Sequence, residues 1–172
     1  MFFDSNLAVV LLLLLHVGGA IIAFGPTFTF PIIGAMAGKE PQHVNFALRL
    51  AEKLETRLVL PLALFQAVTG VLLIGVLGWN VLDVKTFLWL DIGIVLYVIA
   101  MVIVFRVAIP TTQALIEATN APPPPPVPGS PPPSGPPPHI AALVARQKQF
   151  GQITSVLLVL IIILMVAKPH LT

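Results

Sequence analysis

The chain has 172 residues, of which 57 % are hydrophobic and only 9 % charged, and it contains no cysteine. Ordinary soluble domains carry about a quarter charged residues, so water is excluded as its main solvent. The missing thiols exclude disulfides, thiolate metal sites, iron–sulfur clusters and cysteine nucleophiles, and a net charge of +2 from scattered bases argues against a nucleic-acid partner.

A hydrocarbon layer about 30 Å thick is crossed by about 20 apolar residues in a helix. Apolar runs of that kind cover 7–33, 58–77, 86–109 and 150–167. Hydrocarbon offers no hydrogen-bond partner to a backbone amide, so each run is expected to be helical. The predicted architecture is all-α: one domain over residues 1–172, folded as a bundle of four transmembrane helices.

In the first run a leucine block is followed by Gly18, Gly19, Ala20 and Ala23, which resembles a signal-peptide cleavage region. Met1 to Asn6 carries no basic residue, however, and the apolar stretch continues through Phe24, Phe28 and Phe30, so a retained helix is expected. Pro26 and Pro31 predict a kink or an end. Pro41 then stands where a first helical turn tolerates proline, and His43 to Arg57 leads into the second span as one helix with an overhang, bent at Pro61. Arg49, Lys53 and Arg57 on that overhang are expected to meet lipid phosphates. Trp79 ends the second span as an interfacial anchor. Between the third and fourth spans, residues 121–138 form a proline tract with Gly and Ser, for which polyproline II is expected. The tract reads as a stiff spacer, or as a docking strip for a proline-recognising partner.

Short cytoplasmic loops carry the excess of Lys and Arg. Lys39, Arg49, Lys53 and Arg57 lie between the first two spans, Arg106, Arg146 and Lys148 flank the third connection, and only Lys85 and Lys168 stand on the other side. Both termini are therefore expected outside, with the Pro-rich loop in the cytoplasm.

Ionisable groups within spans are costly and mark candidate sites. His16 stands mid-span, with Gly19, Ala20 and Ala23 on its own face at i+3, i+4 and i+7. Two readings follow: a hydrogen bond across a close helix contact, or an imidazole ligand to a porphyrin iron in the flat space the small residues leave. Asp91, at a similar depth in the third span, is a candidate to orient that imidazole. Lys85, at the start of the third span, either snorkels to phosphate or acts as a second axial ligand once deprotonated. Arg106 is expected to snorkel or to pair with Glu55 or Glu117. Gln66 with Ala63, Ala67, Thr69 and Gly70 forms a second small-polar face, and Gln152 with Ser155 a third. Such faces hold helices together. No HExxH, phosphate-binding loop, catalytic triad or dinucleotide fingerprint is present.

The segments LLLLLHVGGAIIAFG, LAEKLETRLVLP and LMVAKPHL together resemble a bacterial family of predicted integral membrane proteins without assigned function. That family is similar to the copper-resistance D membrane domain and to HemJ-type protoporphyrinogen oxidase. The resemblance implies a bacterial plasma membrane and a haem b held by a first-helix histidine, matched by His16, and by a lysine at the start of a later helix, matched by Lys85.

Three functions are thus in view. The first is a non-catalytic accessory or assembly subunit, bound to other membrane subunits or to copies of itself through small-residue faces. The second is a haem b oxidoreductase with His16 as axial ligand and Lys85 or Asp91 assisting. The third is a copper or small-solute transporter.

Overall fold

The computed structural model describes residues 5–120 and 135–169. Most of the proline tract, residues 121–134, lies outside the described residues, and the readings of it as spacer or docking strip lie there too. Among the described residues the chain is helical with short connections. The elements are α1 (Ser5–Phe24), α2 (Phe30–Lys39), α3 (Val44–Leu54), α4 (Leu60–Leu77), α5 (Val84–Ile103), α6 (Ile109–Asn120) and α7 (Pro138–Ala167). They join into four long rods over 7–39, 41–77, 84–120 and 138–167, each long and apolar enough to cross a membrane.

Proline shapes three of the four rods without ending them. Between α1 and α2 a 3-10 turn, Gly25–Thr29, takes up Pro26, and the hydroxyls of Thr27 and Thr29 donate to the carbonyls of Phe24 and Pro26 at 2.6 and 2.7 Å. Pro31 then falls in the first turn of α2, where no amide donor is needed. The second and third rods share a different device. Each contains one π turn, Glu55–Val59 and Val104–Ala108, placed just ahead of Pro61 and Pro110. In these turns Leu60 N–H donates to Glu55 O and Ile109 N–H to Val104 O, one residue further back than in an α-helix. A proline ring clashes with the carbonyl four residues earlier. The wider π turn moves that carbonyl aside, so the helix continues. The third rod accordingly runs past Pro110 to Asn120, well beyond the apolar stretch that ends at Ile109.

The rods pack as two close pairs, α1 with α4 and α5 with α7. The hydroxyl of Tyr97 on α5 donates to Ala63 O on α4 at 2.8 Å and links the pairs. Beyond the π turns, α3 packs on α6, where Asn45 Nδ2 donates to Ile116 O, Thr119 Oγ1 and Asn120 Oδ1 at 2.9–3.1 Å. That end of the bundle carries Lys39, Arg49, Lys53, Arg57, Arg106, Arg146 and Lys148 and is called the basic end below.

The opposite end is closed by the turn between α4 and α5. Gly78 adopts the left-handed conformation (φ 65°), its N–H donating to Gly75 O and that of Trp79 to Ile74 O. This paired pattern is a Schellman cap and satisfies carbonyls that the end of α4 would leave open. Asn80 Oδ1 accepts from Leu82 N–H at 3.1 Å, and Asp83 Oδ2 accepts from the Thr86 hydroxyl at 2.7 Å to start α5.

The outward faces are oily. Leu14, Ile21, Val71 and Val166 are 65, 68, 67 and 79 % exposed, with many similar neighbours. A monomer in water rarely exposes contiguous apolar patches beyond a few hundred Å², so lipid is the solvent of this surface.

The threading direction is open to a direct measurement because the natural chain has no cysteine. Asn80→Cys should react with a membrane-impermeant maleimide in intact cells, whereas Gln42→Cys should react only after permeabilisation. The reverse pattern would invert the orientation expected from the basic residues.

Candidate functional site

The α1–α4 seam is the most polar place in the spans. Thr69 is 2 % exposed and Gln66 6 %. The ring of His16 reaches Thr69, with Nδ1 2.8 Å from Oγ1. The Thr69 hydroxyl has one proton, and Phe65 O lies 3.0 Å away, one helical turn back. When that carbonyl receives the hydroxyl proton, Nδ1 must carry the imidazole proton and donate to Oγ1, which leaves Nε2 with a free lone pair.

Small residues make this contact geometrically feasible. A Cβ at Gly70 would stand 3.3 Å from His16 Cε1, and one at Gly19 would stand 3.4 Å from both Gln66 Oε1 and Phe65 Cδ1. Ala23 and Ala63 are buried beside them. Two of the three small-polar faces therefore pack against each other within one chain.

Lys85 and Asp91 are not brought to this seam. Counting 1.5 Å per residue, Thr69 lies about 12 Å below the last residue of α4, Leu77, and Asp91 about 10 Å below the first of α5, Val84. The depths match, yet α1 packs on α4 while α5 packs on α7. Asp91 is half-buried and makes no side-chain hydrogen bond to His16. Lys85 is exposed, one residue into α5 and about 10 Å nearer the turn than the His16–Thr69 pair. His16 and Lys85 are therefore not brought together as a pair of ligands: α4 passes close to the imidazole at Gly70, where a Cβ would stand 3.3 Å from Cε1, and the lysine stands at a different depth. No group of three or more His, Asp or Glu capable of holding a metal ion occurs among the described residues.

A second cluster was not legible as a unit in the sequence. At the turn end, Lys168 Nζ lies 5.6 Å from the ring centroids of both Trp79 and Trp89, and the two indoles meet edge to face at 5.5 Å. Phe87 packs on Trp79 at 5.6 Å. Lys168 ends α7 in the left-handed conformation (φ 41°), its N–H donating to Leu164 O at 3.0 Å. The cation–π contacts thus pin the end of the last rod onto the α4–α5 turn. Trp79 was expected to anchor the interface; its spacing from Lys168 in the chain gave no signal of the contact.

At the basic end, Arg49, Lys53 and Arg57 follow at i, i+4 and i+8 and are all exposed, forming one stripe on α3 and its π turn. Among the described residues no Lys or Arg lies within 4.0 Å of a carboxylate, the one contact of a basic side chain with a carboxylate being His43 Nε2 to Glu40 Oε2 at 3.7 Å, so Arg106 is not paired with Glu55 or Glu117.

Fold and site together define an integral membrane protein of four spanning helices whose central polar contact joins two of its own helices. The chain belongs to the family described as "Predicted integral membrane protein (DUF2269)", which matches residues 10–169. No curated protein and no solved structure matches.

Two variants separate the roles of the seam. His16→Ala and Thr69→Val should each lower the thermal midpoint in detergent modestly, since a hydrogen bond between membrane helices contributes about 0.6 and at most about 1.7 kcal/mol. The double variant should cost little more than either single one. Gly70→Leu should cost more than both, because it drives a side chain into the imidazole. At the other end, Lys168→Ala should raise quencher access to the indoles and destabilise by about 0.5–2 kcal/mol, while Lys168→Arg keeps the stacking.

Proposed function

We propose that this chain is a non-catalytic accessory or assembly subunit of a larger complex in the bacterial plasma membrane, docked onto partner helices through one face of α7. The observation that carries the proposal is Gln152. It is exposed on α7 and makes no side-chain hydrogen bond among the described residues. It lies fifteen residues from the end of the helix at Ala167, about 22 Å from the turn end and therefore within a hydrocarbon layer about 30 Å thick. A polar amide facing lipid at that depth favours a hydrogen-bonding neighbour. The same face offers room for one. A Cβ at Gly151 would meet nothing within 4 Å, and Ser155 follows at i+4, with its hydroxyl turned back to Gly151 O at 2.9 Å. Small residues four apart let a second helix approach closely.

The other two small-polar faces are closed on each other, which leaves the α7 face as the third and outward one. The stripe of Arg49, Lys53 and Arg57 is read as contact to lipid phosphates that sets the height of the subunit in the bilayer.

Single-cysteine scanning tests the docking face in the cysteine-free background. Gly151→Cys or Val159→Cys should cross-link in native membranes to one stoichiometric polypeptide, and Gln152→Leu combined with Gly151→Leu should abolish both that adduct and co-purification in mild detergent. A chain that purifies alone and unchanged by these substitutions would refute an assembly role. The haem reading retains His16 Nε2 as its single candidate ligand. It takes over if the same preparation shows a Soret band that His16→Ala removes.

A further inference from the structure

Between the two helix pairs, α4 and α5 leave an open crevice of about 380 Å³. Its walls are Leu64, Ala67, Val98, Met101, Val102 and Phe105, with Tyr97 at one end and Arg106 at the other. Tyr97 adds no free polar group, because its hydroxyl is given to Ala63 O. The lining is therefore a hydrocarbon surface with a single cation at its mouth.

The height of that cation is informative. Arg106 lies 22 residues beyond Val84, the first residue of α5, which is about 33 Å along the rod from the turn end. Arg57 lies 20 residues before Leu77, about 30 Å along the neighbouring rod. Both guanidinium groups thus fall where the hydrocarbon, about 30 Å thick, gives way to phosphate. From Tyr97 to Arg106 the crevice descends nine residues, about 14 Å, which is close to the depth of one leaflet's acyl layer. Arg106 itself is exposed and has no carboxylate within 4.0 Å among the described residues.

We infer that this crevice is a binding site for one anionic phospholipid of the leaflet at the basic end, its phosphate on the Arg106 guanidinium and an acyl chain lying between α4 and α5. The charge decides the headgroup. A guanidinium at a lipid-facing mouth, with no counter-ion among the described residues, is matched by a headgroup of net negative charge, and its fork of donors suits phosphate oxygens. The lining decides the rest, since a free phosphate would leave the apolar groove without an occupant. A π turn lies at this height in both rods and contains the arginine, Arg57 and Arg106 each preceding a proline by four residues.

Native mass spectrometry of the full chain in detergent, mixed with phosphatidylglycerol or phosphatidylcholine, tests the site. One phosphatidylglycerol per chain should survive activation that strips phosphatidylcholine. Arg106→Gln should weaken its retention roughly fivefold, the worth of one basic group at an anionic surface, and Arg106→Lys should restore most of it. Ala67→Phe and, separately, the lipid-facing Val98→Phe should reduce retention with every charge intact, in samples whose helicity and elution match the parent chain. Equal retention of the two lipids, or indifference to both the charge and the crevice variants, overturns the proposal. So does displacement by millimolar inorganic phosphate that the crevice variants do not alter, which would mark a plain anion site, or a cross-link from Val98→Cys to a second polypeptide, which would mark a helix-docking groove.

Discussion

Hydrocarbon supplies no hydrogen-bond donor or acceptor, and the rest of this structure follows from how the chain keeps its backbone satisfied without one. Proline is the chief threat to that satisfaction, because each one removes a donor and displaces a carbonyl. Pro26 is absorbed by a 3-10 turn with two threonine hydroxyls on nearby carbonyls, and Pro31 by the first turn of α2, where no amide donor is needed. Pro61 and Pro110 are absorbed by π turns at matching heights on adjacent antiparallel rods. Both rods continue past their prolines, and α3 and α6 remain paired beyond the π turns through Asn45.

With lipid as apolar as the helices themselves, association depends on close approach and a few polar contacts. The α1–α4 seam has both: glycines where Cβ atoms would crowd, and a histidine hydrogen-bonded to a buried threonine. The α5–α7 pair is secured differently, by Lys168 lying against two indoles at the end of α7. Looser contact between the pairs leaves room for the α4–α5 crevice, and the outward α7 face carries Gln152, which makes no side-chain hydrogen bond among the described residues. Structure and proposed function are linked at this point. The polar contacts of the described residues are spread over separate helix seams, at His16–Thr69, Tyr97–Ala63 and Asn45.

Much of the fold was legible in the residues. Four apolar runs foretold four rods, and the overhang ahead of the second span was foreseen; at Pro61, where a bend was expected, the structure has a π turn just ahead of the proline. The third and fourth rods outran expectation: the apolar runs end at 109 and begin at 150, whereas the helices continue to Asn120 and start at Pro138, through stretches too polar to register as membrane spans. The site was less legible. His16 and Thr69 lie 53 residues apart, and nothing in spacing along one helix tells which other helix will face it. Asp91 matches His16 in depth, which sequence can estimate from residue counts, but it stands on a helix of the other pair, which sequence cannot.

By itself the sequence determined the solvent, the number of crossings and the heights of the charges, because these depend on composition and on a fixed rise per residue. Only the tertiary structure decided which polar groups meet. Neighbour choice between membrane helices turns on sub-ångström complementarity of small side chains, as at Gly70 against His16 and Gly19 against Phe65, and that complementarity arises only when two surfaces are set against each other in space.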